Sequence, residues 1–435
     1  MKKLRIGIVG RGPAGITAAL GLETYIPSEN CHITLLDKNQ SIADYPGVEY
    51  GIQERACRSL ERLGLKEKAL HRGVRAHEIT FYNSRLDKTF RPIKSDADYT
   101  RCVVRQEFLQ DLAALLKRTE IVSQCNVVAY KIQDDKSVKV YCEHDQKGSI
   151  HYDFDLLIVC DGSFSTARKQ FFPNSAEKTD RGFSCIYMLI EAKDINNVSE
   201  DFLALANGGR SELIMGTIST MTLFPLGKNR LAYGIGFDHN VKESIWKSLD
   251  LAPSTHWKDI DTNIKKKIAQ KLVGDTTPHD KMYVEALYHV EDWDSYKIYL
   301  WKMADTNALT KPYLDEANLI LIGDASHAIM PTIGMGASLA IQDAELLTQR
   351  LASLLKSTAS REDFLSKLQS DVFKKYAEER VPVWEELVRR ARVAAKENFI
   401  DVKNKKRFAI GPQIPNNNLS KVISTIEEGL RVLKL

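Results

Sequence analysis

The stretch Leu4-Arg5-Ile6-Gly7-Ile8-Val9-Gly10-Arg11-Gly12-Pro13-Ala14-Gly15 decides the reading of this chain. Leu4 to Val9 is a short apolar, β-branched run that meets glycine, and from Ala14 small and apolar residues recur at helical spacing through Leu22. Strand, turn and helix follow. Gly10, Gly12 and Gly15 have dinucleotide-binding spacing: the first permits a tight turn, the second lets backbone approach a pyrophosphate, and the third lets helix pack closely on strand. Pro13 suits the first helical position, where its missing N–H would be unpaired anyway. With Ala14 it opens a helix whose N-terminal N–H groups and dipole favour a diphosphate.

Ile33 to Leu36 is a second apolar run, ending at Asp37 at about the distance at which a βαβ unit delivers its second strand. The Asp37 carboxylate can accept ribose hydroxyls and would repel a 2′-phosphate, so FAD or NAD fits better than NADP. Asp37 and its neighbour Lys38 are therefore candidate nucleotide contacts. A chance glycine pattern in a loop is the alternative, and the strand, helix and acid in place weigh against it.

Two later segments point the same way. Asp161-Gly162-Ser163-Phe164-Ser165-Thr166-Ala167-Arg168 directly follows an apolar strand at Phe154 to Cys160, although alone it could be an ordinary β-turn. Gly323-Asp324-Ala325-Ser326-His327 follows a strand at Asn318 to Ile322. Downstream, Pro331, Gly334, Met335, Gly336, Ala337 and Ser338 make a backbone-rich approach to a helix N-terminus, suited to an electron-rich ring edge. His327 reads as a structural residue, with direct catalysis as its alternative. Nothing local lifts Tyr45, Tyr50 or His77 above core or surface residues.

Helical patterns at Arg55 to Leu63 and Gln106 to Leu116 alternate with strand-like segments at Ile79 to Phe90 and Val127 to Tyr152. From Gly182 to about Tyr299 the texture becomes β-rich, notably at Glu212 to Ile218, Thr222 to Phe224 and Arg230 to Phe237, around a helix near Thr262 to Leu272. Long helices are expected after Gly336 through Leu355 and over Arg361 to Asn398. The expected fold is α/β: a Rossmann-like FAD-binding domain with an inserted β-sheet substrate domain and C-terminal helices. Its division is FAD-binding segments at 1–75, 101–180 and 301–398, substrate-domain segments at 76–100 and 181–300, and a tail with a helix at 399–435. That tail carries Lys403, Lys405, Lys406 and Arg407, then an Ile423, Ile426, Leu430, Leu433 stripe.

The 435 residues are 43% hydrophobic and 27% charged, as in ordinary globular proteins. A net charge of +4 from 61 basic and 57 acidic residues, well mixed, is too weak to argue for nucleic acid. Seven irregularly spaced cysteines without a Cys-x-x-Cys pair fit reduced thiols in a cytoplasm. No metal centre is expected. No stretch approaches the roughly 18 uncharged apolar residues of a spanning helix, and the N-terminus lacks a convincing signal cleavage site.

In order and spacing of these three motifs the chain resembles the class A flavoprotein monooxygenases, the family of para-hydroxybenzoate hydroxylase. The inserted β region matches only in texture, best at Phe224-Pro225-Leu226-Gly227. The resemblance implies a single-component, NADPH- or NADH-consuming FAD enzyme, monomeric or homodimeric. It would use O₂ to hydroxylate an aromatic or electron-rich small molecule through a flavin C4a-hydroperoxide. It further implies that Asp324 holds the ribityl chain, that Arg105 opens a helix beside FAD, and that Asp161, Gly162 and Arg168 serve NAD(P)H, Asp161 serving FAD as well. Substrate-side catalytic residues are not identified. Many members have asparagine two residues after the second glycine of Gly-x-Gly, where this chain has Ser338; its hydroxyl can still donate a hydrogen bond. A flavin-dependent halogenase lacks support because no Trp-x-Trp-x-Ile-Pro segment is found, while an isoprenoid or pigment oxidoreductase and a non-catalytic flavin-binding interaction protein remain alternatives.

Overall fold

The structure is a computed structural model that describes residues 3–44, 47–83, 93–94, 101–216, 218–274, 287 and 298–395. The expected C-terminal tail and helix, Tyr45, and most of the strand expected beyond residue 83 lie outside the described residues.

Four sheets organise the chain. The first is five-stranded, ordered β18 (Leu319–Leu321), β12 (Leu156–Val159), β1 (Leu4–Val9), β2 (Cys31–Leu36) and β8 (Glu120–Val122), with every pairing parallel. Parallel strands are buried on both faces, which accounts for the near-continuous apolar runs. On one face Leu4, Ile6, Ile8, Ile33, Leu35, Leu156 and Ile158 pack with Ala18, Leu22, Ala344, Leu347 and Trp384 of the helices Pro13–Tyr25, Gly336–Ser357 and Lys375–Ala395. On the other, Val9, Leu36, Leu157, Val159 and Leu321 pack against a three-stranded antiparallel sheet of β9 (Cys125–Ile132), β10 (Val138–His144) and β11 (Gly148–Phe154).

A small antiparallel sheet sets β7 (Arg101–Val104) between β3 (Glu49–Ile52) and β4 (Val74–Arg75). It leans on the fourth sheet, seven strands ordered β17 (Tyr299–Asp305), β13 (Thr179–Glu191), β16 (Arg230–Asp238), β15 (Ser219–Gly227), β14 (Arg210–Met215), β5 (Glu78–Asn83) and β6 (Ile93–Lys94). Alternation sorts the two faces of β13. Ile186, Met188 and Ile190 face helices carrying Phe202, Leu205, Trp246 and Ile268. Tyr187 and Leu189 face the small sheet with Phe224 and Tyr299. Two helices in this region, Glu200–Asn207 and His239–Ser248, are set by side-chain N-caps from Ser199 and Asp238.

Beyond Leu355 the expected long helix divides: Arg361–Lys367, a π-helical stretch Leu368–Lys374, then Lys375–Ala395. No helix among the described residues is long and apolar enough to cross a membrane.

Candidate functional site

The Gly10–Gly15 turn sits at the middle of the parallel sheet, where the Gly10 N–H donates to Leu36 O (2.8 Å) and the Cys160 N–H to Val9 O (2.7 Å). Gly10 has φ +98°, and a Cβ there would lie 2.3 Å from Cys160 O. A Cβ on Gly15 would lie 1.8 Å from Gly10 O, whereas one on Gly12 would meet nothing within 4 Å. Gly12 caps the helix Pro13–Tyr25 with no side-chain cap. The first-turn N–H groups therefore open onto clear space, which fits the diphosphate of a dinucleotide.

Asp37 is buried at the end of β2, its Oδ2 accepting from Arg11 N–H (2.7 Å) and its Oδ1 from Asn39 N–H (2.8 Å). Each carboxylate oxygen can accept a second bond, so ribose hydroxyls remain within its capacity. Lys38 is exposed beside it. Sequence reasoning missed Arg11. This nearly buried arginine reaches Asn39 O (3.3 Å), Gln40 O (3.2 Å) and Ser123 Oγ (3.4 Å), pinning the loop after β2. Its place as a variable position of the fingerprint gives no signal for that role.

After β18, Gly323 (φ +62°) turns the chain into the short helix Asp324–His327. The Asp324 side chain is exposed at the wall of the groove. The surrounding protein pushes its carboxyl above the ordinary value, against the pull of His327, Lys178 and Arg105. His327 is fully buried, with Nε2 2.6 Å from Asp343 Oδ2 and its ring 4.6 Å from that of Trp384. Asp343 also accepts from Arg380 Nε (2.7 Å), Trp384 Nε1 (3.0 Å) and Gly323 N–H (3.3 Å). Arg380 and His327 outweigh burial and hold this carboxyl down at about 2. His327 thus belongs to a buried cluster that fixes the turn carrying Asp324, and its neighbours Asp343, Arg380 and Trp384 carried no local sequence signal.

Pro331–Ile333 forms one 3₁₀ turn, Gly334 (φ +62°) is left-handed, and Met335 precedes the helix opened by Gly336 and Ala337. The Gly334 carbonyl would lie 3.8 Å from a Cβ on Gly51, so this loop runs along β3. Ser338 corrects an expectation. It is fully buried, its hydroxyl accepts from Gln53 N–H (2.9 Å) and donates to Gly51 O (3.1 Å), and it is committed to β3 rather than to a ring in the groove.

Asp161 ends the β12 segment, its Oδ2 accepting from Thr166 N–H (2.8 Å) while burial raises its carboxyl. Its Oδ1 is buried without a partner. Gly162 has φ +78° and opens a 3₁₀ turn. Arg168 is a second correction: a phosphate contact requires a presented guanidinium, and this one is spent on backbone. Arg168 is 2% exposed and donates to Ser175 O (2.8 Å), Ala325 O (3.2 Å), Ser326 O (2.7 Å) and Asn307 O (2.6 Å). The presented cation is Lys178, whose Nζ donates to Ser163 Oγ (2.8 Å) and stands 3.8 Å over the ring of the 68%-exposed Phe164.

Arg105 opens the helix Arg105–Ala113, its N–H donating to Val48 O (2.9 Å) and its Nε to Tyr50 Oη (2.5 Å). Its charge acts on Asp324 and on Glu49. His77 packs away from this region, where a Cβ on Gly209 would fall 1.9 Å from its Nδ1. The structure thus gathers the Gly10–Gly15 turn, Asp37, Arg105, Asp161, Asp324 and the Pro331–Gly336 loop around the ends of β1, β12 and β18. The open helix N-terminus at Gly12 and the exposed Asp324 fit FAD.

The family model described as "FAD binding domain" matches residues 3–391. FAD-dependent monooxygenase pyr5 of Aspergillus fumigatus is 24% identical over 411 residues, covering 87% of this chain and 78% of that protein. FAD-dependent monooxygenase olcE of Penicillium canescens is 26% identical, covering 82% and 73%. Among solved structures, Klebsiella pneumoniae HpxO complexed with FAD and uric acid superposes with TM-score 0.72 at 16% identity, covering 97% and 96%. Pseudomonas aeruginosa PqsL in complex with 2-aminobenzoylacetate gives 0.69 at 17%, covering 94% and 99%. The chain belongs to the FAD-binding-domain family and is a flavoprotein, an FAD-dependent monooxygenase with the Rossmann-like fold of the aromatic hydroxylases.

Proposed function

We propose that this chain is a single-component hydroxylase in which the residues gathered above hold FAD and the seven-stranded sheet forms the substrate module. The observation that carries the reading is the uncapped helix N-terminus at Gly12, open to solvent and facing the same groove as Asp324. In this reading the first-turn N–H groups bind the diphosphate and Asp37 the adenosine ribose. Asp324 binds the ribityl hydroxyls, and the Pro331–Gly336 backbone with Met335 and Ala337 holds the flavin ring edge at the head of the helix Gly336–Ser357. Arg105 lies across the groove from Asp324. The Asp161-Gly162 turn, with Phe164 as a stacking face and Lys178 as a cation, receives NADPH or NADH.

Bound FAD supplies the redox chemistry, two-electron reduction by NAD(P)H and transfer of one atom of O₂ to the substrate. The protein orients the acceptor carbon and keeps bulk water out. Tyr187, Leu189, Phe224 and Tyr299, half-buried on the sheet face toward the small sheet, give an aromatic wall suited to a ring-bearing substrate. Uric acid and 2-aminobenzoylacetate, named with the two bacterial neighbours, are likewise small and electron-rich. Seven free, buried cysteines agree with a cytoplasmic setting.

The test is extraction of flavin from purified protein, followed by a screen of electron-rich aromatics for stimulated NADPH or NADH oxidation with product formed. FAD and coupled turnover are expected; extraction of FMN or no flavin refutes the site. Peroxide leakage unaffected by any ligand refutes the hydroxylase in favour of a binding protein. Asp324→Ala is expected to weaken FAD retention by roughly 1–3 kcal/mol.

A further inference from the structure

Glu49 stands out among the carboxylates of this chain by the company it keeps. In the β3–β7 ladder Glu49 pairs with Val104 and Gly51 with Cys102, while Tyr50 pairs with Val103. Cross-strand partners share a face, so Glu49, Val104, Gly51 and Cys102 lie on one side of the small sheet. Tyr50 and Val103 lie on the other, in the helical core with Phe108. The Glu49 side is the one that packs on the seven-stranded sheet, because Cys102 and Val104 are buried there with Leu226 and Ala232 against Tyr187, Leu189, Phe224 and Tyr299.

A carboxylate in an apolar joint is costly unless something compensates it. Among the described residues no side-chain hydrogen bond or ion pair to Glu49 is found, yet it is only half-buried, so its oxygens reach open space at the joint. Gly51, two residues on and on the same face, lies against the Gly334 carbonyl. The loop that holds the flavin ring edge in the proposed function therefore adjoins the same gap. The titratable groups facing Glu49 are Arg105 on the following helix, Cys102 on β7, Cys185 and Tyr187 on β13, and its chain neighbour Tyr50. Tyr299 on β17 faces Arg105 from the far side and accepts the Gly47 N–H. Burial raises all of these thiols and phenols, which keeps them neutral near pH 7 and leaves Arg105 as the charge that acts on Glu49.

We propose that Glu49 is the substrate-recognising carboxylate of this enzyme, accepting a hydrogen bond from an O–H or N–H group of a ring-bearing substrate that lies against Tyr187, Leu189, Phe224 and Tyr299. The inference rests on the FAD reading above, which places the flavin ring at the neighbouring loop. An aromatic wall binds rings of many kinds, and a single acceptor opposite it fixes which edge of the ring turns toward the flavin. It also rejects rings that lack a donor, since the carboxylate would lose its water without replacement. Burial pushes the Glu49 carboxyl up to about 7 against the pull of Arg105, so the acceptor strengthens as pH rises through neutrality.

The experiment uses FAD-loaded wild type, Glu49→Gln and Glu49→Leu, with flavin content measured first. The probes are 2-naphthol and 2-methoxynaphthalene, a donor-bearing ring and its capped analogue, titrated by perturbation of flavin absorbance between pH 5.5 and 8.5. Wild type is expected to prefer 2-naphthol by about tenfold or more at high pH, with the preference shrinking below neutrality. Glu49→Leu should lose the preference, and Glu49→Gln should keep part of it without the pH dependence. Equal affinity for the two probes in wild type, including no binding of either, overturns the proposal. So does a preference unchanged in both variants, which would leave Glu49 as a partner of Arg105 alone. Failure of wild type to hold FAD would instead refute the flavin site, so the two failures are distinct.

Discussion

Gly12 and Gly15 are three residues apart in one motif, and the structure predicts opposite consequences for changing them. At Gly15 a Cβ would fall 1.8 Å from the Gly10 carbonyl oxygen, where contacts under 3.0 Å force something to shift. Helix and turn must then part by more than an ångström, and the obstacle is backbone pinned between β12 and β2 rather than a side chain that can rotate away. Overpacking of this kind costs roughly 1–3 kcal/mol, and the rigid partner puts Gly15→Ala at about the upper end. Gly12 has φ −84° and ψ −171°, open to any residue, and a Cβ there meets nothing. Gly12→Val should therefore change the stability of the apoprotein by under about 1 kcal/mol. Its branched side chain stands where the diphosphate meets the first-turn N–H groups. Displacing one such charge-assisted bond costs about 1.5–3 kcal/mol, a roughly tenfold to hundredfold loss of FAD affinity. Melting of the apoproteins and FAD titration by fluorescence quenching separate the two effects. Gly12→Val with wild-type FAD affinity would refute the phosphate assignment; Gly15→Ala with unchanged melting would refute the packing argument.

Arg168→Lys cannot satisfy four carbonyls, so it should destabilise the fold by roughly 2–4 kcal/mol while flavin reduction by NADPH, normalised to bound FAD, is unchanged; slower reduction at normal melting in stopped-flow experiments would restore the nucleotide role expected from sequence. Asp343→Asn leaves Arg380 without its buried anion and should cost about 3–5 kcal/mol at pH 7 by chemical denaturation. Because the Asp343 carboxyl is held at about 2 against an ordinary 3.8, its contribution is present above pH 4 and lost as pH falls toward 2. Wild type should therefore lose roughly 2 kcal/mol more than Asp343→Asn across that window; equal losses would show that the cluster does not hold the carboxylate charged.

What the sequence disclosed was what a short window encodes. The strand-turn-helix of Leu4 to Leu22, Asp37 at a strand end and the left-handed Gly323 and Gly334 follow from spacing and backbone sterics, and the structure builds them as β1, β2 and two turns. Arg168 was misread because its acceptors at Asn307, Ala325 and Ser326 lie some 140–160 residues away, beyond any local pattern. Ser338 was misread for the same reason, since the strand that takes its hydroxyl is 285 residues back. The His327–Asp343–Arg380–Trp384 cluster joins three helices, and Glu49 acquires its surroundings only when two sheets meet. Lys178 and Phe164 form a pair across a turn that periodicity does not describe.

The order of strands in the parallel sheet bears on how the molecule comes to exist. β1 is nearly the first segment to leave the ribosome, yet its neighbour on one side is β12, about 150 residues later, and β12 waits for β18 at Leu319–Leu321. Until then the nascent chain carries an apolar strand with an open edge, and Gly12 is made long before Asp324. Contacts so distant in sequence make folding slow and leave half-made chains prone to association. FAD, gripped at once by Gly12 and Asp324, can therefore reward only the finished chain, and truncation anywhere before Leu319 forfeits the flavin along with the sheet.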